Sequence, residues 1–234
     1  MPAPIDVHFW PTPNGWKITV MLEELGWPYE VKPVNIGKGE QFEDAFLAIS
    51  PNNRMPAIVD PEGPDGEPIS IFESGAILQY LARKSGRFGG GTERQRIEVD
   101  EWVFWQVANV GPMAGQAHHF LRYAPEEVPY ARKRYVDEVN RLYGVLDWKL
   151  RDREFIVGDY SIADIASYPW VKGWERQGQT AEDMPNVIAW LERCAARPAV
   201  EKGCAVGKEW SMDLSTDKDA QSVLFGQRAR KRSG

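Results

Sequence analysis

Cysteine is nearly absent from this chain. Cys194 and Cys204 are its only two, both fall late, and they form no C-x-x-C pair. That argues against a disulfide framework and a structural zinc site, and it makes a reducing cytoplasm the expected compartment. Histidine is also scarce, at three residues. His118 and His119 are adjacent, so on a helix they point about 100° apart and are poorly placed to share a metal. Their expected role is structural, and no metal is expected. No apolar run of about 18 residues occurs, so no membrane span is expected. The N-terminus shows no basic segment leading into an apolar one, so no signal peptide is expected. Positive charge is not in excess either. The net charge of −6 argues against a general nucleic-acid binder.

What is present is the composition of a packed protein, with 43% hydrophobic residues and ten tryptophans. The length suits one large domain or two small ones. Residues 5–10 and 29–35 have strand patterns. Between them, Ile18, Met21, Leu22 and Leu25 recur at helical spacing until Gly26 and Pro28. A short amphipathic helix is expected over 41–49, strands over 57–60 and 69–72, and a helix over 74–84. A βαβ unit followed by ββα makes an α/β layered domain over residues 1–88. The four glycines at 86, 89, 90 and 91 mark a linker. Beyond it the pattern is helical, over 93–122, 129–152, 161–176 and 185–196, giving an all-α domain over 89–206. Ser161 with Asp164 three residues on has the spacing of a capping box, a structural feature. The aromatics Trp102, Phe104 and Trp105 are expected mostly in the core. Residues 207–234 are polar, end in Arg228, Arg230, Lys231 and Arg232, and are expected to be a frayed tail.

Three short segments carry chemistry. The loop Pro11-Thr12-Pro13-Asn14-Gly15 offers a hydroxyl, an amide and helix N-terminal N–H groups, but no Cys, His, Asp or Glu. Such donors stabilise a thiolate as helix N-termini do, although Thr12 and Asn14 also suit turn and cap positions. A cis bond at Met55-Pro56 would leave the Met55 N–H and C=O unpaired along a sheet edge, ready for an added peptide strand. Glu73 and Ser74 open a helix, where N–H groups and the dipole favour an anion. A carboxylate beside an anion site makes a socket for an α-amino acid headgroup.

Together these segments resemble the cytosolic glutathione transferases over residues 4–205. The narrower motifs are Pro11 to Gly15, Gly37 to Phe42, Ser50 to Asn53, Phe72 to Ile77, and Gly111 to Phe120. They are similar to the nu class, which includes bacterial disulfide-bond oxidoreductase-like transferases and a fungal prion-domain regulator. The resemblance implies a thioredoxin-like first domain, an all-helical second domain, a homodimer and glutathione as co-substrate, reduced or oxidised. It places Glu73 and Ser74 at the γ-glutamyl end and Met55 at the cysteinyl backbone. Gln41 falls at the glycyl side, and Arg54 stands where relatives often carry lysine. Arg134 would anchor a second glutathione or the disulfide form, and Thr12 and Asn14 would face the sulfur. The implied activity is glutathione-dependent disulfide reduction. A glutathione lyase or transferase acting on aromatic thioethers or electrophiles is the nearest alternative. A non-catalytic glutathione-binding regulator is a further one.

Overall fold

The computed structural model describes residues 3–211 and 217–228. The first domain is a four-stranded sheet in the order β2-β1-β3-β4 with helices against it. Strand β1 (Ile5–Phe9) pairs parallel to β2 (Tyr29–Pro33) through helix α1 (Pro13–Leu25). Strands β3 (Ala57–Asp60) and β4 (Ile69–Phe72) then add as an antiparallel pair, with β3 against β1. The βαβ–ββα order expected from the sequence is therefore the order found. In β1, Ile5, Val7 and Phe9 are buried and alternate with half-exposed Asp6 and His8. Helix α1 begins with Thr12 as N-cap and Pro13 as its first residue. It ends at Gly26, whose φ of +67° is the left-handed cap that glycine adopts without strain. The helix expected over 41–49 is shorter, a 3₁₀ turn at Glu40–Phe42 followed by α2 (Asp44–Leu47). Helix α3 (Ser74–Ser85) closes the domain.

The second domain is helical: α4 (Glu93–Trp105), α5 (Gly111–Arg122), α6 (Pro129–Leu150), α7 (Ile162–Val171), α8 (Pro185–Ala195) and α9 (Pro198–Ala205). The single helix expected over 93–122 is interrupted by a π turn at Gln106–Val110. Pro112 explains it. Proline cannot donate to the carbonyl of Ala108 and its ring would collide with that group. Instead, the N–H of Gly111 reaches back five residues to the carbonyl of Gln106, and the wider turn makes room. The expected helix over 161–176 likewise stops at Val171, and a 3₁₀ turn follows at Trp174–Gln177.

Helix α1 lies between the sheet and the helical domain. Ile18, Met21 and Leu22 share one buried cluster with Ile162, Ile165 and Ala166 of α7 and Val200 of α9. Gly203 permits this approach, because a Cβ there would come within 2.5 Å of the Val20 Cα. The Thr19 hydroxyl donates to the Gly203 carbonyl at 2.7 Å, locking the contact.

The expectation of a frayed tail over 207–234 is corrected for the residues described. Trp210 stacks on Trp10 at a ring separation of 6.1 Å. A last helix, α10 (Lys218–Phe225), lays Phe225 against His119 and Tyr123. A few apolar anchors (Trp210, Val223, Phe225) hold a stretch whose average composition is polar. Arg230, Lys231 and Arg232 lie outside the described residues. Phe104 is 61% exposed rather than in the core. Among the described residues no helix is long and apolar enough to cross a membrane.

The capping box reads as expected. Ser161 accepts from the N–H of Ala163, and Asp164 reaches back to the N–H of Ser161 at 3.0 Å. Asp164 is fully buried and also accepts from the N–H of Ile156 and the indole of Trp190, at 3.0 and 2.9 Å. Removing it strands three buried donors. Asp164→Ala is therefore expected to destabilise the protein by about 3 kcal/mol or more, seen as a lower urea midpoint at unchanged slope.

Candidate active site

Three loops meet where the first domain faces the second. The β1–α1 loop brings Thr12 and Asn14, the segment before β3 brings Met55, and the start of α3 brings Glu73 and Ser74. Thr12 does two things at once. Its oxygen accepts the N–H of Gly15 at 3.2 Å, which caps α1. Its proton is thereby left free, and it is donated to the thioether sulfur of Met55 at 3.6 Å. One hydroxyl thus caps α1 and bonds the Met55 thioether.

Asn14 accepts from the indole N–H of Trp170 at 2.8 Å. An indole nitrogen only donates, so the amide oxygen must face it and the amide NH₂ points away. Trp170 belongs to α7, so the second domain orients a side chain of the first. The Met55-Pro56 bond is cis. Among the described residues no backbone hydrogen bond involves the N–H or C=O of Met55. These free groups sit at the end of β3, an internal strand, and not along a sheet edge as expected.

Glu73 is not a comfortable residue. Its φ is +69°, a strained region for a side chain with a Cβ. Its exposed carboxylate accepts from the Asn52 amide at 3.1 Å. The strain turns the chain so that Ser74, and not Glu73, is the first residue of α3. Ser74 is only 7% exposed. Behind it stands Lys17 of α1, 1% exposed, whose ammonium donates to Ser74 Oγ at 3.1 Å and to Gln106 Oε1 at 2.6 Å. Burial pulls the Lys17 amine down to about 7, while the charge of Glu73 acts in the opposite direction.

The other expected residues lie further out. Arg54 is exposed, and its carbonyl accepts from Ser50 Oγ at 2.7 Å, which shapes the loop before Met55. Gln41 is 1% exposed; its amide donates to the Ile36 carbonyl, and its Oε1 is buried without a partner. Arg134 stands exposed on α6 and ion-pairs with Glu138 at 3.8 Å on its own helix. Among the described residues this ion pair keeps Arg134 on its own helix, and it bonds to none of Thr12, Met55 or Ser74.

Lys17, Gln106, Asn52 and Trp170 were missed in the sequence. One signal existed: Lys17 precedes Met21 by four residues, so a lysine falls on the apolar face of α1. The partners of Asn14 and Lys17 on the second domain left no local trace. Both cysteines are buried, and burial raises both thiols. Among the described residues no three side chains are grouped to hold a metal.

Family models for the N-terminal and C-terminal domains of glutathione S-transferase match residues 5–83 and 112–198. The disulfide-bond oxidoreductase YfcG of Escherichia coli is 52% identical over 197 residues, covering 83% of this chain and 92% of that protein. The disulfide-bond oxidoreductase YghU of the same organism is 36% identical, covering 88% of this chain and 75% of that protein. Among solved structures, a glutathione transferase from Burkholderia graminis with two glutathione molecules bound per subunit superposes with a TM-score of 0.84. It is 44% identical and the match covers 88% of this chain and 89% of that one. A glutathione transferase from Pseudomonas putida with one glutathione disulfide per subunit gives 0.83 at 42% identity, covering 87% and 91%. Two domains in the same order, matched over most of their length in sequence and in space, leave one assignment: the chain belongs to the glutathione S-transferase family.

Proposed function

We propose that this protein is a glutathione-dependent disulfide-bond reductase in which bound glutathione supplies the thiolate. The observation that carries this reading is the Thr12 hydroxyl, capped from one side and donating to a sulfur on the other. The cleft has hydrogen-bond donors aimed at a soft acceptor and no thiol of its own. The names of YfcG and YghU, and the glutathione and glutathione disulfide in the related structures, support the same chemistry.

In this reading the first turn of α3, with Ser74, takes the γ-glutamyl carboxylate, and Glu73 takes the ammonium beside it. The free N–H and C=O of Met55 pair with the cysteinyl backbone. Gln41 has an unpaired acceptor to turn toward the glycyl side, and Arg54 adds charge at the mouth. Arg134 serves a second glutathione or the disulfide form. Thr12 and the outward amide of Asn14 hold the sulfur as thiolate, taking the place that Met55 Sδ occupies against Thr12. The thiolate attacks one sulfur of a substrate disulfide. A mixed disulfide forms and one substrate thiol leaves. A second glutathione attacks the glutathione sulfur of that mixed disulfide, forming glutathione disulfide and releasing the second substrate thiol. Two thiols are oxidised and one disulfide is reduced, so the electrons balance without a protein cysteine.

We extend the proposal to a cytoplasmic homodimer. Free, buried cysteines suit a reducing compartment. A groove of about 860 Å³ beside β4 and α3, lined by Ile69, Ile71 and Phe72, leaves apolar surface to cover. Ile97 and Phe104 on α4, 54% and 61% exposed, do the same. Light scattering is expected to give twice the chain mass, and Phe104→Glu to lower it.

With hydroxyethyl disulfide and glutathione, Thr12→Val is expected to lose about tenfold or more in kcat/KM, and Thr12→Ser to recover most of it. The Cys194→Ser, Cys204→Ser double variant is expected to keep near wild-type turnover. A collapse of that variant's activity, with its fold intact by circular dichroism, would overturn the scheme.

A further inference from the structure

Lys17 is a buried titratable group beside the cleft that the scheme above leaves unused. It sits on the core-facing side of α1, and its nitrogen contacts two neutral oxygens, Ser74 Oγ and Gln106 Oε1. The charged side chain acting on it is Glu73, whose exposed carboxylate is already bonded to Asn52. Gln106 is itself fixed. It is fully buried, its Nε2 has no partner, and turning the amide over would set a donor against the Lys17 donors. The π turn forced by Pro112 carries that glutamine.

The arrangement has two states with different proton directions. A neutral amine has two N–H donors and one lone pair, so it can accept the Ser74 proton. An ammonium has three donors and no acceptor. Once Lys17 is charged, the Ser74 oxygen accepts from behind, and its own proton must go elsewhere. Among the described residues the Ser74 hydroxyl donates to no other side chain, so its proton can turn to an acceptor bound at the start of α3.

We propose that Lys17 is a positioning residue for the ligand's carboxylate: charged, it occupies the Ser74 oxygen from the protein side and turns the Ser74 hydroxyl proton onto the carboxylate. This rests on the reading of Ser74 as the seat of the γ-glutamyl carboxylate. The carboxylate and the ammonium then form an ion pair relayed through one hydroxyl, with Gln106 as the ammonium's second support. Burial brings the Lys17 amine to about 7 before the ligand arrives. An arriving anion favours the charged form, so ligand and proton bind together.

S-methylglutathione tests this, because it has no thiol proton of its own. Calorimetric titration at about pH 7.5, in two buffers of different ionisation enthalpy, reads the protons exchanged on binding. The wild type is expected to take up a measurable fraction of a proton, and Lys17→Met none. Comparing S-methylglutathione with its γ-glutamyl α-carboxamide reads the carboxylate's share of the affinity. Lys17→Met is expected to lose about tenfold of the preference for the carboxylate. Lys17→Arg, always charged, is expected to keep that preference without proton uptake. Equal weakening of both ligands in Lys17→Met would mark a structural role and overturn the proposal. Wild-type binding without proton uptake, a measurement that needs no variant to fold, would overturn the coupling of proton to ligand. Failure of the wild type to bind S-methylglutathione at all would instead overturn the glutathione reading, and this role with it.

Discussion

Helix α1 is held on both sides. The sheet of its own domain covers one face, and α7 and α9 cover the other. Backbone comes against backbone at Gly203, where a side chain would collide with Val20. Such a contact has little freedom to slide, because packed interiors resist displacement. The residues that matter at the cleft are referred to this one element. Thr12 is its cap, Asn14 is in its first turn, and Lys17 is one turn further along. A shift of α1 by a fraction of an ångström would move all three relative to Met55 and Ser74. The cross-domain core therefore sets the registration of the site as well as the stability of the fold.

The cleft is built from donors with their directions assigned. Thr12 has its oxygen filled by the N–H of Gly15 and its proton turned to the Met55 sulfur. Asn14 has its oxygen filled by an indole and its NH₂ free. Each is polarised by a partner that leaves one possible orientation, which is a form of preorganisation. The absence of a protein nucleophile is consistent with this. Cys194 and Cys204 are buried with their thiols raised, so neither stands among these oriented donors.

Local signals made much of this readable in the chain. Gly26 ends α1, the alternation of Ile5, Val7 and Phe9 makes β1, and Ser161 with Asp164 starts α7. All depend on residues within one turn or one strand of each other. The segment Ser50 to Pro56 and the pair Glu73-Ser74 were legible as places where backbone is left unsatisfied. What stayed hidden was long-range or depended on a few residues. Lys17 meets Gln106 across 89 positions, and Trp170 meets Asn14 across 156. The π turn required weighing Pro112 against a strong helical pattern. Helix α10 is anchored by residues that an averaged polarity conceals.

The bond from Trp170 to Asn14 bears on how such a protein can change over time. The two domains have separate folds and could be imagined as exchangeable parts, one for the co-substrate and one for the substrate. The indole denies that independence. A helical domain that lost the tryptophan to reshape its own pocket would free the Asn14 amide to rotate, and a donor on the other domain would lose its aim. A change at position 170 is thus felt in the β1–α1 loop of the other domain, and the two domains are not independent at this point.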